Sequence, residues 1–262
     1  MRYNMDMTYD EVTQKLESLA SHDPRDLAGM ARFGINVDKA WVISIPKLRK
    51  LAKEIGKNHE LALQVWDSGI HEARILAGFI DDPKLVTEKQ MEHWVLDFDS
   101  WDVTDMICGN LFDRTQFAVK KAVEWSKRPE EFVKRAGFVI MAGLAVHNKK
   151  MEDAQFVEFL EIIKRESGDN RNFVRKAVNW ALRTIGKSRN KYLYERALEA
   201  SDEILKQVQD DRGGSSRADT RTINNSKLIR NSELETRNSA RRFIAGDAMR
   251  ELQKEYIRSR FL

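Results

Sequence analysis

The stretch DFDSWDVTDMICGNLF (97–112) gathers residues whose types and spacing can do chemistry. On a helix opened at Ser100, Trp101 and Asp105 stand at i and i+4, so their side chains share a face, while Val103, Ile107 and Leu111 project to the other side. An aromatic ring and a carboxylate therefore meet on a surface that need not be core. A carboxylate held against an apolar ring can stabilise a cationic transition state, the electrostatic role that carboxylates play in glycoside cleavage. The same aspartate near a helix start also has an ordinary structural reading, because the helix dipole favours a negative charge there.

A second concentration lies in FVRKAVNWALR (173–183). At about 100° per residue, Phe173, Val174, Ala177, Val178, Ala181, Leu182 and Ile185 fall on one side of a helix over 171–187, and Lys176, Arg183 and Lys187 cluster on another. Trp180 points close to that basic cluster. Cations suit phosphates and a flat ring suits a sugar or base, so the face is a candidate DNA surface. It is equally compatible with a tryptophan that caps the core edge or stacks on Arg183. Arg135 sits in the opening turn of an apolar helix running from Phe138 to Val146. It can pair with Glu131, be solvated, reach a phosphate, or orient Asp105.

A rival chemistry comes from Asp97, Asp99, Asp102 and Asp105, since oxygen-rich clusters bind Mg²⁺ or Mn²⁺. The spacing does not make an EF-hand loop: Asp102 falls where the glycine belongs and Cys108 where the closing glutamate belongs. Nothing resembles HExxH, paired CxxC, GxSxG or a phosphate-cradling glycine loop, and His22, His59, His71, His93 and His147 are scattered. Neither metal nor cofactor is expected. Trp66, Trp94 and Trp125 sit in helical patterns without neighbouring cation clusters and read as core.

The elements that must position these residues are helices. Apolar positions recur at helical spacing over roughly 8–20, 24–33, 46–56, 59–67, 70–80, 84–96, 100–111, 115–126, 130–147, 151–166, 171–187, 189–208 and 240–260, and strand alternation is absent. Ser44 with Pro46, Asp82-Pro83 and Ser100 supply helix-start chemistry. Four segments resemble one another, with an arginine ahead of a small-residue apolar run: HEARILAGFI, FVKRAGFVIMA, FVRKAVNWALR and ARRFIAGDAM. Their marks, Arg74, Arg135, Arg175 and Arg241, are separated by 61, 40 and 66 residues. A step near 40 is that of HEAT-like helical pairs. Residues 209–238 hold no aromatic and little periodicity, and read as a flexible insertion; without those 30 residues the last step is 36. The fold class expected is all-α, an α-α superhelix of HEAT-like repeats forming a single domain over 1–262.

Composition agrees. Only 4 proline and 13 glycine residues supply few turns for an all-β fold. No run is long and apolar enough to span a membrane, no secretory leader is seen, and a lone Cys108 fits a reducing compartment, so a cytoplasmic protein with no membrane partner is expected. The net charge of +4 conceals an asymmetry: residues 1–170 carry 24 basic against 29 acidic side chains, and residues 171–262 carry 21 against 12. A basic final third suits a phosphate-rich partner, although solvated faces give the same count.

Taken in order and spacing, SWDVTD (100–105), the arginine of FVKRAG (132–137) and FVRKAVNWALR (173–183) resemble the DNA alkylation repair family of AlkD-type glycosylases, with SIPKLRKLAKEI (44–55) also matching. The resemblance covers about residues 8–260 apart from 209–238. It implies HEAT-like repeats around duplex DNA and release of positively charged N3- or N7-alkylated purines. It further implies Asp105 as the catalytic carboxylate, Trp101 and Trp180 flanking the lesion's sugar and backbone, and Arg135 holding the phosphate side. The family does not need to insert the damaged base into a deep pocket. Lys176, Arg183 and Lys187 are then the DNA-binding cations, and the chain is expected to act as a monomer. Relatives of the same architecture that bind DNA without excising bases imply an alternative, a non-catalytic binder of duplex or branched DNA. A helical scaffold for peptides is the third reading.

Overall fold

The computed structural model describes residues 7–215 and 225–254. Among them are thirteen α-helices, a single 3-10 turn and no strand. The chain divides into two compact units, 1–118 and 119–262.

The first unit contains α1 (Tyr9–Leu19), α2 (Pro24–Arg32), α3 (Ile45–Ile55), α4 (His59–Asp67), α5 (His71–Ile80), α6 (Glu88–Leu96) and α7 (Trp101–Asn110), followed by the 3-10 turn Phe112–Arg114. Local chemistry sets the helix starts. Thr8 and Glu11 form a reciprocal capping box on α1, and Asp23, Asn58 and Thr87 accept from first-turn amides of α2, α4 and α6. The start expected at Asp82-Pro83 is instead a turn: the Asp82 carboxylate accepts from the Lys84 amide at 3.0 Å, and the helix begins only after Thr87. Helix α5 packs on α3, α4 and α7. Trp66 and Trp94 stack at 4.1 Å between centroids and, with Phe98 and Phe112, form an aromatic core. Trp66, Trp94 and Trp125 are all fully buried, in line with the core reading of their helical patterns, and the Arg74 guanidinium lies 5.2 Å from the Trp66 ring.

The second unit contains most of α8 (Ala118–Trp125), then α9 (Glu131–His147), α10 (Asp153–Glu166), α11 (Asn172–Ser188), α12 (Lys191–Ser215) and α13 (Asn225–Leu252). Helix α11 packs on α9, α12 and α13, and α12 on α10 and α13. Its amphipathic face buries Val174, Ala177, Val178, Ala181, Leu182 and Ile185. The stretch read as a flexible insertion is helical at both ends: α12 runs to Ser215, α13 begins at Asn225, and residues 216–224 lie outside the described residues. Asp211, inside that stretch, accepts from Arg241 at 2.7 Å, and Asn238 is buried. The sequence there lacks aromatics, yet the two long helices stabilise each other by packing, which outweighs weak local periodicity.

The repeated arginines have a common structural use. Arg74 donates to the Asp97 carbonyl at 3.0 Å, Arg135 to the Phe173 carbonyl at 2.6 Å, Arg175 lies over the Phe243 ring at 5.1 Å, and Arg241 pairs with Asp211. Arg74, Arg135 and Arg175 each tie their helix to a later segment of the chain, and Arg241 ties α13 back to α12. The Ala136-Gly137 pair after Arg135 also has a packing reason. A Cβ at Gly137 would lie 2.6 Å from the Ser126 amide nitrogen and 3.0 Å from the Ala122 carbonyl oxygen, both backbone atoms of the preceding helix and its end. Gly137→Ala is therefore expected to force α8 and α9 apart at a cost of about 1–3 kcal/mol. Urea unfolding of the variant checks this, and unaltered stability would show that the contact relaxes freely.

Candidate active site and nucleic-acid interface

In the first unit, Trp101 and Asp105 both lie half-buried on α7. Their i, i+4 spacing places the two side chains on one side, while Val103 and Ile107 are buried on the helix that packs against α5. The indole Nε1 of Trp101 donates to the Phe33 carbonyl at 3.0 Å, across 68 residues of sequence, which fixes the ring plane at the end of α2. Phe33 itself is 62% exposed, with the Arg32 guanidinium 5.1 Å from its ring centroid.

The four carboxylates of the α7 region go to four different places. Asp97 accepts from the Trp66 indole at 2.9 Å, Asp99 from Asn36 at 2.8 Å, and Asp102 from His71 at 2.9 Å, while Asp105 faces with Trp101. Among the described residues no group of three or more potential ligands gathers for a metal ion.

Sequence reasoning missed the support beneath α7. Asp102 accepts from His71 Nε2 and from the Ser100 hydroxyl at 2.8 Å. Ser100 precedes α7 as expected, but its side chain bonds Asp102 rather than a backbone amide. Burial works against charge on both His71 and Asp102. The hydrogen bond between them and their mutual attraction outweigh it, so the His71 pKa lies above its ordinary value of 6.5 and that of Asp102 below 3.8. Beside this pair is a cavity of about 210 Å³ lined in part by Asn36, Lys39, His71, Arg74 and Asp99. Glu72, fully buried, holds the adjoining loop by accepting from the amides of Trp41 and Ile43. These partners lie 29–31 residues apart in sequence, and no local pattern announces them.

In the second unit, α11 presents Trp180 at 37% exposure, and Lys176 is exposed one turn before it. The other two cations of the expected row are engaged. Arg183 lies 3.7 Å from Asp247, and Lys187 lies 2.7 Å from Glu251, both on α13. The Lys187 and Lys254 ammonium groups pull the Glu251 carboxyl down to about 2. Arg135 is buried, with its guanidinium on the Phe173 carbonyl in the first turn of α11. A phosphate contact would require it to share or leave that bond. Lys134 beside it is also buried and pairs with Glu166 at 2.7 Å and Asp169 at 3.0 Å.

The helical pairs define the class to which this protein belongs. A solved structure described as belonging to "a new family of proteins related to the HEAT-like repeat DNA glycosylases with affinity for branched DNA structures" superposes with a TM-score of 0.66 at 23% identity, covering 75% of this chain and 83% of that one. The likeness shows a HEAT-like repeat fold. The model of the DNA alkylation repair enzyme family matches residues 12–210, and the chain belongs to that family. Two curated relatives, uncharacterized proteins of Listeria innocua serovar 6a and Listeria monocytogenes serovar 1/2a, are 23% and 22% identical over 205 residues, with 76% of this chain and 88% of theirs covered in each case. Among the described residues, no helix is long and apolar enough to cross a membrane.

Proposed function

We propose that the protein hydrolyses the N-glycosidic bond of positively charged N3- or N7-alkylated purines in duplex DNA, acting as a monomer without metal or cofactor. The observation that carries this reading is the fixed Trp101 beside Asp105 on α7 in a chain of the DNA alkylation repair enzyme family. An alkylated purine is already cationic, so it can leave as a neutral base without being protonated. The bond from its ring nitrogen to the sugar C1′ breaks, and positive charge develops on the sugar. Asp105 stabilises that charge and orients the water that attacks C1′, whose proton is then lost. Trp101 excludes bulk solvent from one side of the sugar, and the indole anchor keeps its ring from turning away. On the second unit, Trp180 and Lys176 contact the DNA backbone, with Arg183 and Lys187 exchanging carboxylate partners for phosphates. Arg135 sets the first turn of α11 and so the direction of Trp180.

The test is release of free methylpurine from methylated duplex DNA by the intact chain in the presence of EDTA. Release supports the reading, and a neutral lesion such as uracil should remain in place because this chemistry supplies no general acid. A second reading draws on the HEAT-like structure described as having affinity for branched DNA: a binder of duplex or branched DNA that performs no excision. No base release, with salt-sensitive DNA binding intact, selects it.

A further inference from the structure

Helix α13 begins at Asn225, beyond residue 210 where the family match ends, and its C-terminal half carries more cations than acids. Asp247 and Glu251 point to α11, where they pair with Arg183 and Lys187. At about 100° per residue, Arg242, Phe243, Gly246 and Arg250 fall on the side away from the buried Ala248 and Leu252. Asp247 borders that side and is shared, since it also meets Arg250 at 3.6 Å, and Glu251 also pairs with Lys254, so two acids face four cations. The Arg250 side chain is 74% exposed and the Lys254 side chain 62%, Arg242 is exposed, and Phe243 keeps 37% of its surface in solvent with the Arg175 guanidinium at its ring.

Gly246 supplies a separate observation. Within a helix, glycine costs about 1 kcal/mol relative to alanine, so it usually reflects crowding. Here a Cβ would meet only Arg250 Nη1, at 3.7 Å, which is ordinary contact. No packing requirement explains the glycine. Its position between Phe243 and Arg250 leaves bare backbone open to the close approach of another molecule.

We propose that this face of α13 docks the sugar-phosphate backbone of DNA, Arg242 and Arg250 meeting phosphates and Phe243 lying against a base or sugar. The inference rests on the DNA-binding part of the proposed function and extends it to a helix outside the family match. Exposed cations flanking one aromatic ring, in excess of the two acids they share, complement a polyanion that carries flat apolar bases. On this arrangement α13 adds an outer positive surface to the cations of α11.

The experiment titrates undamaged duplex DNA against the full chain across a salt series, comparing the native protein with Arg242→Gln/Arg250→Gln and with Lys206→Gln, an exposed cation on α12. Melting curves confirm that each variant remains folded. The expected result is a plot of log affinity against log salt that is shallower by about 1.8 in the double variant, and unaltered in Lys206→Gln. With a gapped duplex offering unpaired nucleotides, Phe243→Ala should lose about tenfold in affinity. Salt-sensitive binding by the native chain with an unaltered slope in the double variant would overturn the α13 surface and leave the proposed function standing. Binding by the native chain that is insensitive to salt removes both.

Discussion

Asp105→Asn is expected to lower methylpurine release by about a hundredfold or more while leaving DNA affinity close to native. The substitution removes a charge and almost no volume, on a helix whose buried positions are Val103, Thr104, Ile107 and Cys108 rather than Asp105. Helix α7 and the Trp101 anchor on Phe33 should therefore survive it. What is lost is the field that stabilises the sugar cation, which exists only as the bond breaks. The effect should accordingly appear in the rate of the single turnover and not in binding. Affinity should even improve slightly, because one negative charge beside the DNA backbone is gone. The measurement is single-turnover base release on methylated duplex, paired with a binding titration on the same substrate. Equal rates for the two proteins would remove Asp105 from the chemistry, whatever the family resemblance implies. A fall in rate matched by a fall in affinity would instead make it a binding residue.

Helix positions were legible because apolar spacing is a local signal. Helix α4 occupies 59–67 as the spacing indicates, and α9 and α11 agree within a residue at each end. The exceptions have physical reasons. Pro83 suggests a helix start, but Asp82 closes an Asx turn, and Thr87 offers the cap that the helix uses. Helix α13 starts well before residue 240 because its partner is α12, a pairing invisible in 225–239 alone. The i, i+4 relation of Trp101 and Asp105 was readable for the same local reason. The fate of the cations was not, since Asp247 and Glu251 stand 64 residues from Arg183 and Lys187. Periodicity places a lysine on a face, but what lies across that face is a tertiary fact. Arg135 makes the same point: its spacing marked a repeat, and its burial and bond to Phe173 explain why an arginine recurs there.

The contact beneath α7 yields the second large effect. His71→Gln is expected to destabilise the protein by about 2–3 kcal/mol near pH 6, toward the low side for breaking a buried pair because the Asp102 side chain keeps 16% of its exposure. The loss should depend on pH in a defined direction. The His71 pKa is raised above 6.5 in the fold, so the stability it contributes is fully present below 6.5 and disappears as pH rises through the raised value. The Asp102 pKa is lowered from 3.8, so its share is present above 3.8 and is lost as pH falls through the lowered value. The pair therefore supports α7 most from about pH 4 to about 6.5 and weakens on the alkaline side. Urea unfolding of the native chain and His71→Gln at several pH values isolates this pair, because other titrating groups cancel in the difference. The gap between the two proteins should narrow steadily above pH 6.5. A gap that stays constant with pH would mean that His71 contributes by packing alone. Because Trp101 and Asp105 ride on the helix this pair secures, base release by the variant should fall at temperatures where the native chain remains fully folded. A variant that loses stability but keeps native release rates at low temperature would confine His71 to holding the fold.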